Sequence, residues 1–135
     1  MKSVFAVIVI IFLFSINANA EYKFAENWSR SDTEWQAASI ALGVADWLQT
    51  RYISKHPDEY RELNVILGDH PSSRDVNLYF GSVIVAQTIL AAALPPEAEV
   101  FDYKINPRRI CQGVWISVEG VTVIRNITIG IGFEF

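Results

Sequence analysis

From Val76 to Leu94 the chain carries no charged side chain, and Pro95-Pro96 stops the run. Nothing else in the sequence limits the fold as sharply. Coiled as an α-helix at about 1.5 Å per residue, the run reaches roughly 28 Å, close to the ~30 Å hydrocarbon thickness of a bilayer. Ser72-Ser73-Arg74-Asp75 supplies a polar start for it. A buried helix of a water-soluble domain has a similar composition, but a 135-residue chain has too little other material to wrap one on every side. The expectation is therefore a helix that lies in a membrane.

A second apolar run begins the chain. Lys2 gives a positive start, Val4 to Ile16 is almost unbroken in its apolarity, and Ala18-Asn19-Ala20 places small residues where signal peptidase cuts. This predicts a secretory signal peptide over residues 1–20 and a single helical membrane domain over residues 21–135. An apolar run of about thirteen residues is short for an uncleaved anchor, which needs about twenty. No cysteine follows the run, so a lipid-modified anchor is not expected.

With 51% hydrophobic and 19% charged residues, the chain is far from a disordered composition and poor in groups to solvate a free surface. The formal charge of -4 and the scattered Lys and Arg exclude a phosphate-binding stripe, so no nucleic-acid partner is expected. Cys111 is the only cysteine, which excludes an intrachain disulfide and a thiolate metal cluster; Ile110 and Gln112 beside it predict a packed thiol. Oxygen and imidazole groups do gather at His56, Glu62, Asn64, Asp69 and His70, but their spacing matches no metal motif, and a solvated loop at headgroup level explains them. No Gly-rich phosphate loop, nucleophile elbow or zincin signature occurs. No catalytic residue, metal or cofactor is expected.

Two further helices complete an all-α expectation. Ser31-Asp32-Thr33-Glu34 has the form of a capping box, opening a helix that carries apolar residues to about His56, where Pro57 ends it. A short helical turn is expected over Arg61 to Leu67, then a break at Gly68-Asp69-His70-Pro71. A charged connection runs from Glu97 to Arg109, and a third helix is predicted from about Pro107 to about Thr128 with an extended tail. From Ile127 to Phe135 apolar residues alternate with small or polar ones, as in the last strand of an outer-membrane barrel, but a barrel needs at least about eight strands and this chain offers two at most.

Placed on helical wheels, the polar residues of these segments fall into stripes. Ser39, Gly43, Asp46 and Thr50 share one side of the first helix, Asn77, Gly81 and Thr88 one side of the second, and Glu119, Thr122 and Asn126 one side of the third. In hydrocarbon such groups must face protein, so the stripes should turn inward in a compact bundle of about three helices. Its centre would hold Asp46, Asn77, Glu119 and Asn126, with Arg51 and Arg125 as counter-charges. Two neighbouring carboxylates resist joint ionisation, so one of them could give or take a proton; alternatively, the polar groups satisfy one another and fix helix register.

Asp46-Trp47-Leu48-Gln49-Thr50, followed by Glu62-Leu63-Asn64, Leu67-Gly68, Pro71 and Val76-Asn77-Leu78-Tyr79-Phe80, resembles small bacterial and phage membrane proteins. In that family an Asp-x-x-x-Thr helix precedes a Glu-x-Asn-Pro loop; Val65 stands here at the proline position. The resemblance covers about the middle third of the chain. It implies a multi-spanning helical protein, points to Asp46, Thr50, Glu62 and Asn64, and carries no activity.

Three functional expectations follow. The first is a small integral membrane protein of the cell envelope, more in the inner than the outer membrane, with an accessory or interaction role and with lipid, a membrane protein or a second copy as partner. The second is a polar site at Asp46, Glu119 and Asn126 that handles a proton, a cation or a lipid headgroup. The third is an outer-membrane protein with a C-terminal β-signal.

Overall fold

A computed structural model describes residues 23–100 and 102–135. The expected leader over residues 1–20 lies outside the described residues. Three long helices dominate: α1 (Arg30–Lys55), α2 (Ser73–Ala93) and α3 (Pro107–Thr128).

The start of α1 differs from the expected box. Ser29 is the cap: its Oγ accepts from the Asp32 amide at 3.1 Å, while the Asp32 carboxylate accepts from the Ser29 amide at 2.9 Å. Ser29-x-x-Asp32 wins over Ser31-x-x-Glu34 because Asp32 also receives Arg108 and Arg109 from α3, whereas Glu34 holds only the exposed Arg30. The helix ends at Lys55 with His56 as cap, one residue before Pro57, where a missing amide hydrogen would break the ladder. At α2 the Ser72 Oγ accepts from the Asp75 amide at 3.2 Å, as the sequence suggests. Asn106 caps α3, Pro107 opens it, and Gly130 at φ 86 supplies the left-handed residue that closes it.

The connection between α2 and α3 contains a hairpin that the sequence does not announce. β1 (Ala98–Val100) and β2 (Tyr103–Ile105) pair antiparallel, with Asp102 at φ 65 in the turn. Aspartate is among the few residues that tolerate this conformation. Over Arg61 to Leu67 the chain forms turns rather than the expected piece of helix. The period-two segment after Ile127 forms no strand: α3 runs on through Thr128, and residues 129–135 fold back as a tail in which the Glu134 amide donates to the Leu48 carbonyl at 3.1 Å.

Hydrogen bonds fix the helix directions. Gln36 meets Thr88, Trp47 meets Asn77 and Ser54 meets Ser73, so α2 runs antiparallel to α1. Arg108 meets Asp32, Gln112 meets Gln36 and Asn126 meets Gln49, so α3 runs parallel to α1. The start of α1, the end of α2, the hairpin and the start of α3 make up one end of the bundle. The loop 56–72, the start of α2, the end of α3 and the tail make up the other.

What lies between the helices is largely polar. Along α1 the inward positions are Asp32, Gln36, Ser39, Gly43, Thr50 and Ile53, spaced by threes, fours and one double step that Asp46 fills. Gln87, Arg108, Gln112, Glu119 and Asn126 complete the seam from α2 and α3. Apolar side chains inside are fewer, among them Val76, Phe80, Ala91 and Val123. Outside, by contrast, Leu78, Val85 and Ile89 on α2 and Val121, Ile124 and Ile127 on α3 are exposed, Val121 to 68%. This reverses the usual arrangement of a water-soluble domain.

Candidate functional site

Two polar centres occupy the seam. At the hairpin end, Arg108 is wholly buried and every arm of its guanidinium is used. Nη1 donates to Asp32 at 3.3 Å, Nη2 to the Glu26 carbonyl at 2.8 Å, and Nε to the carbonyls of Ala91 and Leu94 at 3.2 and 3.1 Å. The last two are at the end of α2, where the backbone carbonyls have no partner inside the helix. Trp28 covers the guanidinium face, 5.0 Å from ring centre to carbon. Arg109 adds a second bond to Asp32 at 3.0 Å and stacks on Trp35. Around them Gln112 donates to the Asp32 carbonyl and to Gln36, which donates in turn to Thr88. The Asp32 carboxylate is shared by two guanidiniums and the donors of Arg108 are nearly saturated, which suits a structural clamp.

The second centre joins α1 and α3 further along. Asp46 and Glu119 each lie nine residues before the last residue of their helix, Lys55 and Thr128, and so about 14 Å from the loop end. Because α1 and α3 run parallel, the two carboxyls reach the same place and lie close enough to act on one another. An ionised carboxylate only accepts, so two carboxyls this close attract one another only if one of them carries a proton. Asn126 Nδ2 donates to Asp46 at 3.4 Å and to Gln49 at 3.1 Å, and Gln49 Nε2 donates to the Val123 carbonyl at 3.3 Å. The other charged group that acts on Asp46 is again an acid, Glu62 of the loop. Tyr79 on α2 lies near enough to Asn64, Asp46, Glu119 and Glu62 for each to act on its hydroxyl. The loop is thereby drawn back against the bundle beside the carboxyl pair.

Of the residues that the sequence singles out, Asp46, Glu119 and Asn126 meet, Glu62 and Asn64 stand beside them, and Thr50 is buried on the same face of α1. Asn77 stands apart: it accepts from Trp47 Nε1 at 2.9 Å and from Arg51 at 3.2 Å. Arg51 is held there and by the Phe135 carbonyl, and Arg125 is exposed, so neither is the counter-charge that the wheel suggests. Gly81 also leaves the expected stripe. It opens onto an apolar groove on the outside of α2, between Leu78, Ser82, Val85 and Ile89. Among the described residues no group of His, Cys, Asp and Glu is arranged to hold a metal ion, and the residues around His56 disperse, His56 stacking on Tyr52 and His70 exposed.

The wheels miss Arg108 and four buried glutamines, Gln36, Gln49, Gln87 and Gln112. For α1 a signal existed: Asp32 and Gln36 continue the three-four spacing of Ser39, Gly43, Asp46 and Thr50 backward. For Arg108 none did, since one arginine of a charged connection looks like another.

No family model matches the chain, and no curated protein or solved structure matches it either.

Proposed function

We propose that the chain is a small integral membrane protein of the cell envelope, its three helices crossing the bilayer, with an accessory or interaction role toward another membrane helix. The observation that carries this reading is the distribution of charge. Between Glu34 and Arg51 of α1, along all of α2 after Asp75, and between Arg109 and Arg125 of α3, the only charged side chains are Asp46 and Glu119, which face each other inside. The rest of this band presents Val85, Ile89, Val121 and Ile124 outward, where lipid tails accept them and water does not. Among the described residues α2 alone is long and apolar enough to be a spanning candidate by composition, and little of it is buried. The resemblance of residues 46–80 to small bacterial and phage membrane proteins points the same way.

An interaction role is supported by the groove on α2. Gly81, Ser82 and Ala86 line it and would let a neighbouring helix approach closely, the means by which helices associate in lipid. Alkaline carbonate extraction of the expressed full chain tests embedding: the protein should stay in the membrane pellet, and recovery in the supernatant would remove the reading. A single cysteine at Ser82, with Cys111→Ala, tests the groove by oxidative cross-linking in native membranes. Disulfide-linked or partner-linked species are expected, and a wholly monomeric outcome would remove the interaction role.

The contact between Asp46 and Glu119 favours a second reading, in which the pair exchanges its proton or takes a small cation in its place. Substituting Asp46→Asn with Glu119→Gln should then abolish activity at full folding. Retained activity would leave the pair a register-fixing element.

A further inference from the structure

We propose that residues 61–69 form a re-entrant loop that inserts Leu63, Val65 and Ile66 among the acyl chains of the leaflet at the loop end of the bundle; this rests on the membrane reading above. The three side chains are exposed, Val65 to 82% and Ile66 to 78%, an unusual outlay for a turn in water. Irregular backbone reaches membrane depth only where protein or water satisfies its polar groups. In this loop five amides, those of Glu62, Asn64, Ile66, Leu67 and Gly68, are satisfied from within. Glu62 Oε1 accepts from the Asn64 amide at 2.7 Å, Asn64 Oδ1 accepts from the Ile66 amide at 3.1 Å, and the Asn64 carbonyl accepts from the amides of Leu67 and Gly68 at 3.0 Å. The Glu62 amide donates across the base of the loop to the Asp69 carbonyl, also at 3.0 Å.

Position supports the same conclusion. The Asn64 side chain lies near enough to Tyr79 to act on its hydroxyl, and Tyr79 is six residues into α2 and so about 9 Å from its start, inside the charge-free run that begins at Val76. The tip thus turns back beside the apolar band instead of projecting beyond it, while Arg61, Asp69 and His70 stay exposed at its base. Leu78, exposed on α2, continues the apolar surface from the band toward the loop. Glu62 and Asn64 consequently act as the internal partners of a loop whose outer face is greasy. The occupant that fits is hydrocarbon.

The test uses the full chain with Cys111→Ala, one cysteine at Val65, Val121 or Asp102, and an environment-sensitive fluorophore on that cysteine. The labelled proteins are reconstituted in phosphatidylethanolamine and phosphatidylglycerol vesicles containing acyl-chain spin-labelled lipid. Quenching at Val65 should come within about twofold of that at Val121, and both should exceed Asp102 severalfold. Strong quenching at Val121 with Val65 resembling Asp102 would overturn the loop insertion alone. No quenching at Val121 would overturn the membrane reading and the insertion with it. Adding Asn64→Ala to the Val65 variant, with helicity checked by circular dichroism, should reduce its quenching at least twofold; unchanged quenching would overturn the part assigned to Asn64.

Discussion

The two polar centres between α1 and α3 lie on the same faces of the same helix pair and are built on opposite principles. At Asp32 and Arg108 charges are opposite, side chains are 4% and 0% exposed, and four donor contacts and the Trp28 ring fix the guanidinium in place. At Asp46 and Glu119 the charges are alike, and only a shared proton makes the contact attractive. The first centre leaves nothing free to react. The second places two titratable acids in the middle of a band with no other charge, where a group must be either functional or tolerated for register. A buried polar contact thus says little by its presence, and much by whether its charges balance.

The comparison can be broken most directly at Arg108. Arg108→Ala takes one of two guanidiniums from the buried Asp32 and leaves the carbonyls of Glu26, Ala91 and Leu94 without their donor, and should cost about 3–5 kcal/mol in detergent thermal unfolding. A loss below about 1 kcal/mol would mean that the clamp is not structural. Ser29→Ala removes one cap of the same carboxylate and leaves both arginines, so about 1 kcal/mol is expected by the same measurement. If it approached the Arg108 value, the box and not the ion pair would dominate. Asp46→Asn with Glu119→Gln keeps the hydrogen bonds and removes the shared proton, and stability should stay within about 1 kcal/mol of the parent. A loss as large as that of Arg108→Ala would make both centres structural and remove the proton or cation reading.

The smallest effect concerns the tail. The hydrogen bond from Lys55 holds the Glu134 carboxyl below its ordinary range, with Arg51 and His56 nearby. A depressed carboxyl contributes stability that is present above the ordinary carboxylate range and lost as pH falls through the lowered value. Hydrogen-exchange protection of the Glu134 amide, bonded to Leu48, should therefore fall under acid conditions, and Glu134→Gln should show the reduced protection at neutral pH. Equal protection at both pH values would detach the tail from this ion pair.

Much of the bundle was legible in the sequence. Pro57, Ser72 and Pro107 mark helix ends by local chemistry, and helical spacing brought Asp46, Glu119 and Asn126 onto inward faces. What spacing could not supply was relative height. Equal depth of Asp46 and Glu119 depends on α1 and α3 running parallel, which is a property of the connections. The hairpin after α2 was hidden because three-residue strands leave too short a pattern. The tail misled in the opposite sense, since alternation at period two needs a partner strand before it becomes a strand. Arg51 was misplaced because a wheel shows direction only: its side chain is long enough to reach Asn77 and the Phe135 carbonyl instead of the carboxyls.

Arg108 has one more consequence. Its guanidinium touches the lead segment at Glu26, α1 at Asp32 and α2 at Ala91 and Leu94, joining positions up to 82 apart in sequence. None of these segments can fray alone without leaving a buried donor or acceptor empty. The hairpin end should therefore open as one cooperative unit, with lead, helix start and helix end exchanging their amides at a common rate.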